Sequence, residues 1–354
     1  MSFIEQIERA HLLGRGGAAF PTATKWRAVA KHSRGNAVIV VNGAEGEPRS
    51  LKDRFVMTAK PDLVLDGAFV AARELRANRV ILYIGERHAQ ARDAMLRALN
   101  TRPERERRLA TLSLAPARYV AGAEAAAIHF LNDSIATPVN LPPYPFERGV
   151  GGAPTLVQNV ETLMRVALLA RGNSAGGTMI TLAGAVVRPG ILNVDPQTTV
   201  GDAIASAGGM TEAPRAILVG GYFGRWLDMQ EALAVSLAHG QGLGCGVIGV
   251  LPASRCGVCE VAGIMRYLAS ESSAQCGPCF FGLRALADAC TRIATDAPKP
   301  DDLSRLHRWA GDVRGRGACK HPDGAAIFLS SALQVFAREF ANHAPHDLDL
   351  RQTA

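Results

Sequence analysis

Short β-branched apolar runs alternate with amphipathic stretches through the first half of the chain. Residues 37–41 read Ala-Val-Ile-Val-Val, a continuous apolar run that predicts a strand buried on both faces. Residues 79–84 predict a second strand and 111–114 a third. Between them, 61–77 and 86–100 repeat apolar positions at helical spacing, as do 22–31 and 154–170, with a shorter helix over 1–12. Strand and helix in turn predict an α/β domain over residues 1–172. A glycine-rich linker at 172–177 then changes the rhythm. Strands at 178–182 and 191–194 flank an Arg-Pro-Gly turn, a helix follows at 199–207, and a strand returns at 215–219. That order predicts a small β-grasp domain over 177–235. From residue 258 onward the pattern is helical, over 258–270, 277–292, 302–313 and 325–340, which predicts a four-helix bundle within 245–345.

Composition refines this only a little. The chain has 354 residues, enough for two or three domains, and a net charge of +7. The densest basic cluster, Arg102, Arg105, Arg107 and Arg108, is interleaved with Glu104 and Glu106, so it reads as a solvated helix and not a nucleic-acid groove. No apolar run is long enough to span a bilayer, and the N-terminus carries no apolar export core. The cytoplasm is the expected compartment. In that setting, clustered cysteines predict metal ligands in preference to disulfides.

Three polar segments interrupt the apolar pattern where ligands are expected. Gly14-Arg15-Gly16-Gly17 precedes Phe20 and Lys25 at the start of a helix, an anion-binding arrangement of glycine N–H groups and flanking cations. The first strand delivers Asn42-Gly43-Ala44-Glu45-Gly46-Glu47-Pro48 at its C-terminal end, where open α/β sheets bind ligands. Tyr119–Glu124 opens another helix, and the long loop 134–153 holds Pro142-Pro143-Tyr144-Pro145. The cysteines form two C-x2-C pairs, Cys256/Cys259 and Cys276/Cys279, with Cys319 forty residues beyond Cys279. One reading is a four-thiolate zinc ribbon of both pairs. Another is an iron–sulfur cluster on Cys276, Cys279 and Cys319, its fourth ligand Ser273, Cys256 or Cys259. Cys245 and Cys290 read as buried thiols. His343 and His346 fall in a tail expected to fray.

Taken together, Gly14–Trp26, Asn42–Arg54, Tyr119–Glu124, Pro154–Leu163, Glu271–Cys279 and Gly317–Phe340 resemble, in order and spacing, the NADH-binding flavin and iron–sulfur subunit of respiratory complex I and its hydrogenase and formate dehydrogenase relatives. The resemblance implies an α/β FMN domain, a β-grasp (SLBB) domain and a four-helix [4Fe–4S] domain. It implies hydride transfer from NADH to FMN and single-electron transfer onward to a ferredoxin-like or other iron–sulfur acceptor, with NAD(P)H as donor. It also implies site roles. Arg15, Gly16, Gly17 and Lys25 would hold FMN; Asn42, Glu45, Tyr119, Gly122, Gln158, Asn159 and Thr162 would line its pocket. Phe20 would stack on adenine, with Glu47, Glu124 and Tyr144 near the dinucleotide, Glu47 and Glu124 as the catalytic carboxylates. Cys276, Cys279, Cys319 and Ser273 would hold the cluster. The loop variant is similar to the C subunit of the Rnf complex. Ala44 stands where the family has an acid, Gly122-Ala123-Glu124-Ala125 stands for Gly-Glu-Glu-Thr and removes another carboxylate, and Ala28, Leu141 and Ser273 replace the family's second stacking ring, lysine and first cluster cysteine, so flavin contacts are better kept than dinucleotide contacts. Two other classes remain: an electron relay or scaffold without NADH oxidation, and a zinc-stabilised protein binding a soluble ligand. The resemblance is compatible with peripheral attachment to a membrane complex.

Overall fold

The computed structural model describes residues 2–139, 141–238, 242–295 and 297–343. Internal contacts divide the chain into two compact units, one of residues 1–46 and 50–178, the other of 47–49 and 179–354. The first unit is built on the apolar runs. After α1 (Phe3–Arg9) and α2 (Thr22–His32) come β1 (Ala37–Gly43), α3 (Lys52–Ala59), α4 (Pro61–Glu74), β2 (Ala77–Gly85), α5 (Ala89–Asn100), α6 (Glu104–Leu109), β3 (Ala110–Ala115), α7 (Glu124–Asp133), β4 (Thr155–Asn159) and α8 (Val160–Ala170). The strands form one sheet in the order β3-β2-β1-β4, every neighbouring pair parallel. Val38, Ile39, Val40, Val41, Val80 and Leu82 are buried, as two-sided strands require.

One expected helix divides in two. Residues 154–170 read as continuous helix, but Thr155–Asn159 is a strand paired with β1, and the helix begins only at Val160. The reason is local. Asn159 sits in extended backbone, and its side-chain oxygen accepts from the N–H groups of Glu161 and Thr162, which starts the helix there. Pairing places Asn42 opposite Asn159, so both asparagines leave the sheet side by side at its C-terminal edge.

The second unit holds a five-stranded sheet and the helices. Its elements are β5 (Thr178–Gly184), β6 (Gly190–Val194), α9 (Val200–Ser206), β7 (Pro214–Val219), β8 (Arg225–Leu227), α10 (Met229–Leu233), β9 (Val247–Pro252), α11 (Gly257–Ser270), α12 (Leu283–Ala294), α13 (Asp302–Val313), α14 (His321–Val335) and α15 (Ala337–Ala341). The sheet order is β6-β5-β9-β7-β8, with β5 and β9 parallel and β7 antiparallel to both β8 and β9. The sheet therefore runs past residue 235 to take in β9. Its face packs Ile180, Leu182, Ile217 and Ile248 against Val200, Ala203 and Ile204 of α9. No helix among the described residues is long and apolar enough to cross a membrane. His346 lies outside the described residues.

Candidate functional site

The glycine loop, the β1 loop, the turn at Tyr119–Gly122 and the β4–α8 junction converge within the first unit. Arg15 N–H donates to Thr162 Oγ1 at 2.8 Å. A Cβ on Gly16 would lie 3.6 Å from Asn159 Cβ, and Gly17 takes φ 104°, a conformation that favours glycine. Asn42 Nδ2 donates to the Gly122 carbonyl at 2.8 Å. Gly46 has no room for a side chain, because a Cβ there would strike the Tyr119 carbonyl. Trp26, fully buried on α2, donates Nε1–H to Gln158 Oε1 at 3.3 Å, which ties α2 to the end of β4. Arg15, Gly16, Asn42, Tyr119, Gly122, Gln158, Asn159 and Thr162 thus stand around one corner of the sheet.

Beside that corner lies an ionic cluster that sequence reasoning missed. Lys52 Nζ is 2.6 Å from Asp53 Oδ1 and 3.2 Å from Glu161 Oε2. Arg165 Nη2 is 3.4 Å from Glu161 Oε1, and Asn159 Nδ2 donates to Asp53 Oδ2 at 2.7 Å. All these charged groups are buried, as is Arg15. Burial would push the Lys52 ammonium down, but Asp53 and Glu161 beside it hold it above its ordinary value. Burial raises the Asp53 carboxyl to about 6, against the pull of Lys52. Arg15, Lys52 and Arg165 share this interior with the carboxylates of Asp53, Glu161 and, acting on Lys52 and Asp53, Glu45; Arg15 is the cation with donors left over. The residue is 6% exposed, and its Nε and Nη1 are buried without a hydrogen-bond partner. Burial lowers its pKa to about 10. A buried cation with idle donors fits an anion, and a flavin phosphate has that chemistry.

Other expected residues stand differently. Lys25 Nζ is 3.0 Å from Glu124 Oε2 and donates to the Val157 carbonyl at 2.7 Å. Glu45 caps α3: its carboxylate accepts from Asp53 N–H at 2.8 Å, Arg54 N–H at 3.0 Å, Arg54 Nε at 2.9 Å and Ser50 Oγ at 2.7 Å. Glu47 belongs to the second unit, where its oxygens accept from Tyr222 N–H at 2.8 Å and Arg49 N–H at 3.3 Å. Phe20 is 52% exposed. Tyr144 already stacks on Phe146, with centroids 5.3 Å apart and rings 4° from parallel.

The second unit sorts the cysteines. The Cys279 thiol is raised by burial, with Cys319 and Cys276 adding to the shift, so these three feel one another. The Ser272 side chain and the Ser273 backbone hydrogen-bond to Cys279, and the His321 N–H at the start of α14 hydrogen-bonds to Cys319. Three neighbouring thiols of this kind have the donor chemistry of an iron–sulfur cluster. The two C-x2-C pairs do not combine. Cys256 and Cys259 sit at the start of α11, whose 14 residues extend about 21 Å, and Cys276 and Cys279 follow its far end. This removes the zinc ribbon, and it removes Cys256 and Cys259 as fourth cluster ligands. Instead they meet His343, a residue expected to fray.

Comparison with known proteins agrees with this architecture. Residues 7–168 match the Nuo51 FMN-binding domain, 179–221 the SLBB domain, and 260–343 the NADH-ubiquinone oxidoreductase-F iron–sulfur binding region. The chain belongs to the family of NADH-quinone oxidoreductase F subunits. It is 29% identical to the F 2 subunit of NADH-quinone oxidoreductase in Rhizobium meliloti (strain 1021), over 96% of this chain and 88% of that one. It is 28% identical to the alpha subunit of the NAD-reducing hydrogenase HoxS of Cupriavidus necator, over 89% of this chain and 56% of that one. Among solved structures it is similar to a chain of NAD+-reducing [NiFe]-hydrogenase in the air-oxidised state, with TM-score 0.86 and 31% identity, covering 98% of this chain and 63% of that chain.

Proposed function

We propose that this member of the family oxidises NAD(P)H with FMN and passes electrons through a [4Fe–4S] cluster to a ferredoxin-like or other iron–sulfur protein. The observation that carries the reading is the buried Arg15 guanidinium with two unpartnered nitrogens, beside a glycine loop at the carboxyl edge of a parallel sheet. Flavin, when bound, accepts a hydride and releases electrons one at a time. Arg15 and the glycine N–H groups bind its phosphate; Asn42, Gly122, Gln158, Asn159 and Thr162 fix its orientation. Lys25 and Glu124, a partly exposed pair, position charge at the pocket rim. Phe20 offers its exposed ring to adenine, while Tyr144 stacks on Phe146, which packs on His32 at the far end of α2. Glu45 acts by holding α3 and so Lys52 and Asp53. Glu47 is assigned a positioning role through its backbone bonds, with hydride chemistry left to the flavin.

Cys276, Cys279 and Cys319 would hold three irons of the cluster, with Ser273 as the fourth ligand. The exposed rings of Phe280 and Phe281, the latter 70% exposed, follow Cys279 directly, and Arg284 lies over Phe280 at 4.9 Å. This apolar, cationic patch suits a docked acidic acceptor. We place the protein in the cytoplasm as one component of a larger assembly, and assign residues 1–172 to its FMN domain, 177–252, including β9, to its SLBB domain and 257–343 to its cluster domain.

The test is anaerobic purification with flavin, iron and sulfide analysis, followed by mixing with NADH. Bound FMN, about four irons and bleaching on NADH addition are expected. Zinc without flavin would overturn the proposal. Flavin that NADH fails to bleach would favour the relay reading, which the departures at Ala28 and Ala44 support.

A further inference from the structure

Cys256, Cys259 and His343 lie apart from the cluster thiols, which follow the far end of α11. Cys256 is the N-cap of α11, and Cys259 follows one turn later on the same helix. His343 comes just after α15, so 84 residues separate it from Cys259. Yet His343 Nε2 is 3.3 Å from Cys256 Sγ and 3.6 Å from Cys259 Sγ. All three ligand atoms lie within 4.8 Å of one another, and the three residues are half-buried. Among the described residues they are the one such group of His, Cys and carboxylate side chains.

These separations match a tetrahedral ion. With Zn–S of about 2.3 Å and Zn–N of about 2.05 Å, tetrahedral angles place sulfur and nitrogen about 3.6 Å apart. Two thiolates and a neutral imidazole around Zn2+ make a neutral centre, which a half-buried position tolerates. The surroundings also suit metal-bound sulfur. The Cys259 N–H points at Cys256 Sγ, at 3.4 Å. Glu339 on α15 accepts from the Gly257 N–H at 3.1 Å and from Arg215 Nη1 at 2.8 Å, and so holds the chain that carries His343 against the start of α11.

We propose that Cys256, Cys259 and His343 bind one zinc ion, separate from the iron–sulfur cluster, with water in the fourth position. The ion clasps the segment after α15 to the start of α11. Binding releases the thiol protons to solvent and involves no change of oxidation state. The site does not depend on FMN or NADH, so it stands or falls independently of the proposed activity.

The test uses the full chain, purified anaerobically from zinc-supplemented cells, with zinc and iron measured together. One zinc per chain is expected. C256S, C259S and H343A should each weaken zinc retention against a competing chelator by about 100-fold or more while leaving iron unchanged. C279S should lower iron and leave zinc unchanged. X-ray absorption at the zinc edge should report two sulfur and two nitrogen or oxygen neighbours. Wild-type protein free of zinc, zinc that survives C256S, zinc lost in C279S, or a Cys256–Cys259 disulfide in the anaerobic protein would each overturn the proposal. H343A guards against misfolding, since it lies at the end of the described chain and leaves both thiols in place.

Discussion

Replacing Arg15 by methionine separates binding from folding. Arg15 is 6% exposed and has two nitrogens without hydrogen-bond partners. Burial lowers its pKa from the ordinary arginine value to about 10, which at about 1.4 kcal/mol per tenfold corresponds to about 3 kcal/mol of cost in keeping it charged. Methionine fills similar space and removes that cost, along with the attraction to Glu161. The flavin-free variant should therefore equal or exceed the wild type in stability, by up to about 3 kcal/mol in urea denaturation. FMN should behave oppositely. A charge-assisted bond to phosphate contributes about 1.5–3 kcal/mol, so its loss should weaken FMN binding about 10- to 150-fold. Fluorescence titration measures this directly. Riboflavin, which lacks the phosphate, supplies the control: its affinity should be the same for both proteins. A variant that loses about 3 kcal/mol or more without flavin, or that weakens riboflavin as much as FMN, would refute the reasoning, since Arg15 would then be a structural cation.

Other outcomes follow from the same geometry. Phe20→Ala should raise the KM for NADH several-fold, about 1 kcal/mol for a lost aromatic contact, with FMN affinity unchanged; an unchanged KM would remove Phe20 from the dinucleotide site. Asp53 keeps its proton up to a pH of about 6 in the folded protein but releases it near 3.8 when unfolded, so its burial costs stability progressively as pH rises from about 4 to 6. Compared with Asp53→Asn across that range by urea denaturation, the wild type should lose ground as pH rises; a constant difference would show that Asp53 titrates normally. Cys319→Ala should strip iron and spare flavin, while Ser273→Cys should slow iron loss in air by supplying a thiolate in place of a poorer oxygen ligand. Equal iron retention in Ser273→Cys and wild type would exclude Ser273 from the ligand set.

Local pattern revealed much of the fold, because buried parallel strands and amphipathic helices carry their signatures within a few residues. The β4–α8 junction escaped because Thr155-Leu156-Val157 becomes a strand only through pairing with β1, more than a hundred residues earlier. The place of β9 between β5 and β7 depends on long-range pairing. At the site, glycines and asparagines stood out because their chemistry is local. Lys52 and Asp53 did not, since a Lys-Asp-Arg run normally reads as solvated surface. They are buried here because Glu45 caps α3 from its own N-terminal side and turns that helix start inward. His343 was hidden for a related reason: its partners lie more than eighty residues away, and a histidine near a chain end carries no local sign of ligation.

The same contrast separates the two halves of the proposed chemistry. The flavin side rests on buried, mutually coupled charges. Arg15, Lys52, Asp53, Glu161 and Arg165 form one charge-coupled set, and changing any one shifts the balance of charge in the interior. The dinucleotide side rests on groups that are exposed or already engaged. Phe20 faces solvent, Tyr144 leans on Phe146, and Glu124 holds Lys25. A lineage with this construction can retune or lose its electron donor while keeping its flavin. The degree of NADH reduction, measured against intact FMN binding, is therefore the quantity that distinguishes a dehydrogenase from a relay.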